Sequence, residues 1–207
     1  MLNPDEFEKF MHELYEKFHM HDLKQTDRLQ RYRNIEPESG RFLSMLIRAQ
    51  QAKDILEIGT STGYSTLWLA EAAQHTQAVI TTLEIDKARV TQAKHYANTL
   101  GFEHLIDFKV MDAQQYLEAS QQQFDFILLD AERDAYLGYW KHLARLLKPK
   151  DGILLVDNVI SHAAEVEEFI QLIQLIQLIQ QDQRFIISTV PVGAGLLMVG
   201  YRESHEF

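Results

Sequence analysis

Phe7, Phe10, Met11, Leu14, Tyr15 and Phe18 recur at spacings of three and four, the period of a helix with one buried stripe. A polar, Arg-rich stretch from Asp27 to Arg33 interrupts the pattern. Ile35-Glu-Pro-Glu-Ser-Gly40 then marks a turn before a second apolar helix, Phe42 to Ile47. From residue 53 the rhythm shortens. Apolar and β-branched runs at Asp54–Ile58, Ala78–Glu84, Leu105–Val110, Phe124–Asp130 and Gly152–Asp157 read as strands. Helical stretches follow them: Tyr64–Ala73, Asp86–Leu100 with Gly101 as its stop, one from Asp112, one from Asp134, and a long one near residues 163–181.

Strands that alternate with helices call for a mostly parallel sheet with helices on both faces, a Rossmann-like α/β fold. Two last runs, Phe185–Val190 and Leu196–Tyr201, are joined by Pro191-Val-Gly-Ala-Gly195. That connection is too short for a parallel crossover, so an antiparallel hairpin at the sheet edge is expected. No linker divides the chain. The pattern predicts a single domain over 1–207, with a helical N-terminal extension at 1–50 and the core at 51–207. Within the long helix, Gln-Leu-Ile repeats across 171–179. Its three-residue period spreads apolar residues around the helix, which predicts a strongly buried or oligomer-facing element.

Composition narrows the function. The 207 residues are 46% hydrophobic and 24% charged, enough for a sizeable core and unlike a disordered chain. With 20 basic against 30 acidic residues the net charge is −10, which argues against binding phosphate backbones by bulk charge. The absence of cysteine removes disulfides, thiolate metal sites and cysteine nucleophiles. An acidic start and the lack of an apolar run of about 18 residues predict neither signal peptide nor membrane span, hence a cytoplasmic address. The nine histidines show no zinc-site spacing. His162 alone stands close behind a strand tip.

In open α/β sheets ligands bind beyond the carboxyl ends of the strands. Those tips read Glu57-Ile-Gly59-Thr-Ser-Thr-Gly63-Tyr-Ser65, Glu84-Ile-Asp86, Met111-Asp112-Ala113, Asp130-Ala-Glu-Arg133 and Asp157-Asn158. The first is a glycine-rich turn, neither Gly-x-Gly-x-x-Gly nor a Walker loop. A carboxylate at the next tip, Glu84, suits the two hydroxyls of a ribose.

Leu56-Glu-Ile-Gly-Thr-Ser-Thr-Gly-Tyr-Ser65 resembles the first motif of class I S-adenosylmethionine-dependent methyltransferases, in the variant of the catechol and caffeoyl-coenzyme A O-methyltransferase group. Ile35-Glu-Pro-Glu-Ser-Gly40, Leu129-Asp-Ala131, Val156-Asp-Asn-Val159 and Val190-Pro-Val-Gly-Ala-Gly-Leu196 are similar to that group in the same order. The resemblance implies a small-molecule acceptor with adjacent oxygens. It places the cofactor at Glu57, Gly59, Thr60, Ser61 and Gly63, with Ser65 and the Ile35 backbone at its carboxylate. Glu84 would meet the ribose and Ile85 would also touch the cofactor, Asp112 and Ala113 would border the adenine, and Asp130 would lie near the ammonium. It further implies that Asp130, Asp157 and Asn158 hold a divalent cation. Such hard oxygen donors suit magnesium first, and also manganese or calcium.

Two departures bear on the acceptor. Arg133 stands where the group commonly has a lysine near the reacting hydroxyl, and Ala194 where an acidic residue is common. Arginine stays protonated, so Arg133 can serve as a fixed charge beside Asp130 in catalysis or lie on the surface. A hydroxylated uridine in transfer RNA is the rival acceptor, permitted by Arg28, Arg31, Arg33 and Arg41. A non-catalytic binder of the cofactor is the rival from another class. A homodimer is expected, and no membrane partner.

Overall fold

The computed structural model describes residues 3–160 and 166–202. Helix α1 (Pro4–Asp22) begins at a reciprocal cap. The Asn3 side chain accepts from the Glu6 N–H, and the Glu6 carboxylate accepts from the Asn3 N–H. Helix α2 (Pro37–Gln50) starts at Pro37 rather than at Phe42, because proline's fixed φ suits a first helical position. Between them the Arg-rich segment holds only a short 3-10 turn, Arg28–Gln30.

The alternating part follows as β1 (Asp54–Ile58), α3 (Tyr64–Thr76), β2 (Val79–Glu84), α4 (Lys87–Thr99), β3 (Ile106–Val110), α5 (Ala113–Ala119), β4 (Phe126–Leu129), α6 (Tyr136–Leu146), β5 (Ile153–Val156), α7 (Val166–Gln181), β6 (Phe185–Val190) and β7 (Leu196–Tyr201). Asp86 and Asp112 cap α4 and α5 instead of opening them: their side chains accept from the N–H groups of Ala88 and Gln115.

The seven strands form one sheet in the order β3-β2-β1-β4-β5-β7-β6. The first five are mutually parallel, and β7 runs antiparallel to β5 and β6, as the short connection requires. Period-2 alternation sorts the core into two layers. Ile55, Ile80, Phe126, Leu128 and Leu155 face α1, α2 and α3. Leu56, Ile58, Ile127, Leu129, Leu154 and Val156 face α5, α6 and α7. In α7, Leu172, Leu175 and Ile179 are buried, whereas Phe169, Ile170, Ile173 and Leu178 are exposed; its burial is one-sided rather than complete. No helix among the described residues is long and apolar enough to cross a membrane. His162 lies outside the described residues.

At the opposite end of the sheet from the strand tips, Asp125 ties three segments together. Its carboxylate accepts from the backbone N–H groups of Lys53 (2.8 Å) and Asp54 (3.0 Å) and from Lys148 Nζ (2.7 Å). Burial pushes this carboxyl up, but the Lys148 ammonium and the two N–H groups outweigh it and hold the group below its ordinary value. A depressed folded value stabilises the fold above the ordinary carboxylate range, and the contribution is lost as the pH falls through the folded value. Asp125→Asn should therefore cost about 1–3 kcal/mol near neutral pH in chemical denaturation. The gap to wild type should close below about pH 4; a pH-independent gap would remove the ionic part of this account.

Candidate active site

Strand order reverses between β1 and β4, and a cleft of about 760 Å³ opens there beyond the carboxyl ends. The ladder continues one residue past the strands. Asp130 N–H donates to the Ile58 carbonyl (2.9 Å), Asp157 N–H to Leu129 (3.2 Å), and Gly59 N–H to Leu83 (3.0 Å). Gly59 has φ +105°, and a Cβ on it would stand 1.9 Å from the Asp130 carbonyl oxygen. Only glycine lets the β1 and β4 tips close this far.

Gly59, Ser61, Ser65, Glu84, Ile85, Asp112, Ala113 and Asp130 all line the cleft, together with Arg133, Asp157 and Asn158. Glu84 is aimed by two backbone donors, the N–H groups of Ser61 and Asp86, each at 2.9 Å. One acceptor site remains on each of its oxygens.

Glu57, Thr60 and Gly63 do not line the cleft, and the Ile35 side chain is buried, so only the backbone of Ile35 is left for the expected contact. Glu57 shares the Ile55 face of β1 and points at α3. There it accepts from Ser65 Oγ (2.6 Å), Thr66 Oγ1 (2.5 Å) and Thr82 Oγ1 (2.5 Å). Burial raises its proton affinity, and these three hydroxyls oppose the rise. Thr60 bonds Thr82 behind the turn (2.5 Å), and a Cβ on Gly63 would meet Ala93 at 2.8 Å. Ile35 is a core residue, while Asn34 and Glu36 on either side of it reach the cleft. Ser65 lines the cleft but its hydroxyl is turned to Glu57, which leaves backbone N–H groups at the start of α3 as the donors for an anion.

The carboxyls of Asp130 and Asp157 are pushed up, Asp157 to about 7. Burial is the main cause for both; for Asp130 the nearby Asp157 charge adds to it. Arg133 opposes the shift at both, and Arg33 at Asp130. Asp157 Oδ1 and Asn158 Oδ1 are buried without a hydrogen-bond partner. Asn158 is itself in the left-handed region at φ +60°, which asparagine tolerates. Among the described residues no group of three or more His, Cys, Asp and Glu side chains is placed to hold a metal; the third donor here is an amide. Two repelling carboxylates and an orphaned amide oxygen fit a hard divalent cation.

Arg133 is buried, at 6% exposure, so the surface alternative falls. Its guanidinium donates to the Asn158 carbonyl. Tyr136, a residue that no motif marked, pins the same loop: its hydroxyl accepts from the Ala131 N–H (3.1 Å) and donates to the Ala131 carbonyl (3.0 Å). Across the cleft runs a strap formed by residues 28–34. Arg28 and Arg33 both reach Glu132. Arg89 donates to the carbonyls of Leu29 and Arg31, and Ser61 Oγ to that of Tyr32. Arg41 lies apart, paired with Glu8 at 2.7 Å, so the expected arginine cluster is split.

The O-methyltransferase family profile matches residues 9–201. The chain belongs to the O-methyltransferase family. Among relatives, it is 34% identical over 140 residues to the catechol O-methyltransferase of Niastella koreensis, covering 65% of this chain and 62% of that one. It is 31% identical over 179 residues to caffeoyl-CoA O-methyltransferase 2 of Zea mays, covering 78% and 67%. The chain thus spans about three fifths of the first of these relatives. The fold is shared with the O-methyltransferase of Bacillus cereus in complex with SAH (TM-score 0.75, 23% identity, 93% and 90% covered). It is also shared with TomG of Streptomyces achromogenes in complex with SAM (TM-score 0.77, 21% identity, 98% and 92% covered).

In this O-methyltransferase family member the acid pair opposes folding when ionised. A carboxyl raised in the fold destabilises it progressively as pH rises from the unfolded value, about 4, to the folded value, about 7 for Asp157. With chelator present, Asp157→Asn should melt above wild type at about pH 8 and close to it near pH 4. An Asn variant no more stable at the higher pH would show that burying this charge carries no penalty.

Proposed function

We propose that this chain transfers a methyl group from S-adenosylmethionine to a hydroxyl of a small catechol-like acceptor with adjacent oxygens, using a bound divalent cation, magnesium first. The observation that carries the reading is the pair of orphaned oxygens on Asp157 and Asn158 beside Asp130, in the same cleft as a ribose-ready Glu84. The names of the catechol and caffeoyl-CoA relatives support the acceptor class.

The cofactor supplies a sulfonium methyl group. Glu84 would accept from both ribose hydroxyls, with Ile85, Asp112 and Ala113 along the adenine. Asp130 would accept from the cofactor's ammonium on one side and donate an oxygen to the cation on the other. A divalent cation here would lower the pKa of a hydroxyl oxygen it chelates. Arg133, buried against Asn158, fixes the third donor and adds positive charge where the acceptor oxygen becomes negative. Glu132 offsets Arg28 and Arg33, and Glu8 offsets Arg41. A small acceptor is therefore better supported than transfer RNA. The intact donor set weighs against a non-catalytic binder.

The test is a methyl-transfer screen with labelled cofactor over catechols, other phenols and transfer RNA, with magnesium and with chelator. Transfer to catechols that chelator abolishes and magnesium or manganese restores is expected; full activity in chelator would sink the metal. By calorimetry, Glu84→Ala should weaken S-adenosylmethionine binding by about 1.5–3 kcal/mol, the loss of a charged hydrogen-bonding acceptor. Asp157→Ala should leave that affinity nearly intact.

Arg133→Ala should lower single-turnover transfer about 10- to 100-fold and weaken manganese binding followed by electron paramagnetic resonance. Arg133→Lys should keep part of both, since a lysine can reach the same carbonyl with one charge. Unchanged rate and manganese affinity in the alanine variant would leave Arg133 as packing alone.

A further inference from the structure

Methylating a hydroxyl releases a proton, and the residue at the usual lysine position cannot take it. Arg133 stays protonated and its guanidinium is turned to the Asn158 carbonyl. The described lining of the cleft contains no lysine, histidine or cysteine. Asp130 and Asp157 would be taken up by the cation in the reading above, and the remaining carboxylates but one are engaged or misplaced. Glu84 faces the ribose end, held by two N–H groups. Asp86 and Asp112 cap helices on that same side. Glu132 is clamped by two arginines, and Asp134 is exposed.

Glu36 remains. It stands just before Pro37, half-buried, lining the cleft with Asp157, Asn158 and Ala194. A Cβ on Gly193 would lie 2.9 Å from Glu36 Cβ, so the loop after β6 packs directly against it. That same loop is tied to the metal-side tip, because Val159 and Ile160 donate their N–H groups to Gly195 and Ala194 at 2.9 Å. Glu36 therefore lines the same cleft as this tip, near enough to Asp157 for its negative charge to raise that carboxyl. Oε2 accepts from the Tyr15 hydroxyl, which fixes the carboxylate. Oε1 has no partner among the hydrogen bonds of the described residues, and no cation there lies within 4 Å of the group.

We propose that Glu36, held by Tyr15, is the catalytic residue that accepts the acceptor's hydroxyl proton in this chain. The assignment rests on the catechol reading above. In the step, the acceptor O–H bond breaks and its proton passes to Glu36 Oε1. The oxygen's electron pair forms the new O–CH3 bond, the S–CH3 bond breaks, and its pair stays on sulfur as the sulfonium becomes a neutral thioether. Glu36 then returns the proton to water. Tyr15 is a positioning residue, acting through the other carboxylate oxygen.

The test compares catechol with nitrocatechol, whose nitro group leaves a hydroxyl already ionised at neutral pH and in no need of a base. Single-turnover transfer is measured in magnesium-loaded wild type, Glu36→Gln and Tyr15→Phe, with cofactor and manganese affinity as controls for an intact site. Glu36→Gln should slow catechol methylation by about 100-fold or more, the scale of general-base catalysis, and slow nitrocatechol far less. Tyr15→Phe should give a smaller loss with the same preference. Equal losses on both acceptors, or a Gln variant as fast as wild type on catechol, would overturn the assignment. A wild type that binds cofactor but methylates neither acceptor would overturn the catechol reading and this assignment with it.

Discussion

The Asp130 carbonyl occupies the space that a side chain on residue 59 would need. That exclusion is the constraint on which the site depends. With glycine there, the tips of β1 and β4 continue their ladder past the last strand pair, and β5 follows against β4. Asp130 and Asp157 are brought together by backbone pairing, not by attraction between their side chains. The hydrophobic layers on each side of the sheet hold the tips against a repulsion the acids cannot escape by moving apart.

The same arrangement distributes charge in a definite order. Arg133, from its place against Asn158, offsets both acids, and Arg33 offsets Asp130 from the strap. Glu57 lies deeper, served by hydroxyls alone. A buried carboxylate surrounded by neutral donors orders the first turn of α3 and the neighbouring strand without adding a cation beneath the cleft. The wall behind the glycine-rich turn is thus polar and internally hydrogen-bonded.

Much of this was legible along the chain because the periods differ. Short apolar and β-branched runs stood apart from stripes spaced three and four, and the five-residue link before Leu196 left only an antiparallel return. The acids at Glu84, Asp130 and Asp157 were visible as charges ending apolar runs. The resemblance placed Glu57 at the cofactor, but a motif match carries no information on strand face. Glu57 shares parity with Ile55, so it had to point at α3. What spacing could not carry were contacts between distant segments: Glu132 with Arg28 across 104 positions, and Tyr15 with Glu36 across 21. Arg133 was open to two placements because burial of a guanidinium depends on a carbonyl, at Asn158, that no side-chain pattern reveals.

The Gln-Leu-Ile run in α7 follows a different arithmetic. Three residues advance an α-helix by about 300°, so each repeat precesses backwards by about 60°. Leu172 and Leu175 lie in the core, yet the next leucine, Leu178, has rotated out to 37% exposure, and Ile179 has replaced it at 0%. Burial passes from the leucine row to the isoleucine row within three repeats. A tandem repeat of this length cannot keep one row inward, so surplus apolar surface at Ile173 and Leu178 is written into its period. Lengthening the run by further copies would turn the stripe around the helix instead of extending the face that packs on the sheet.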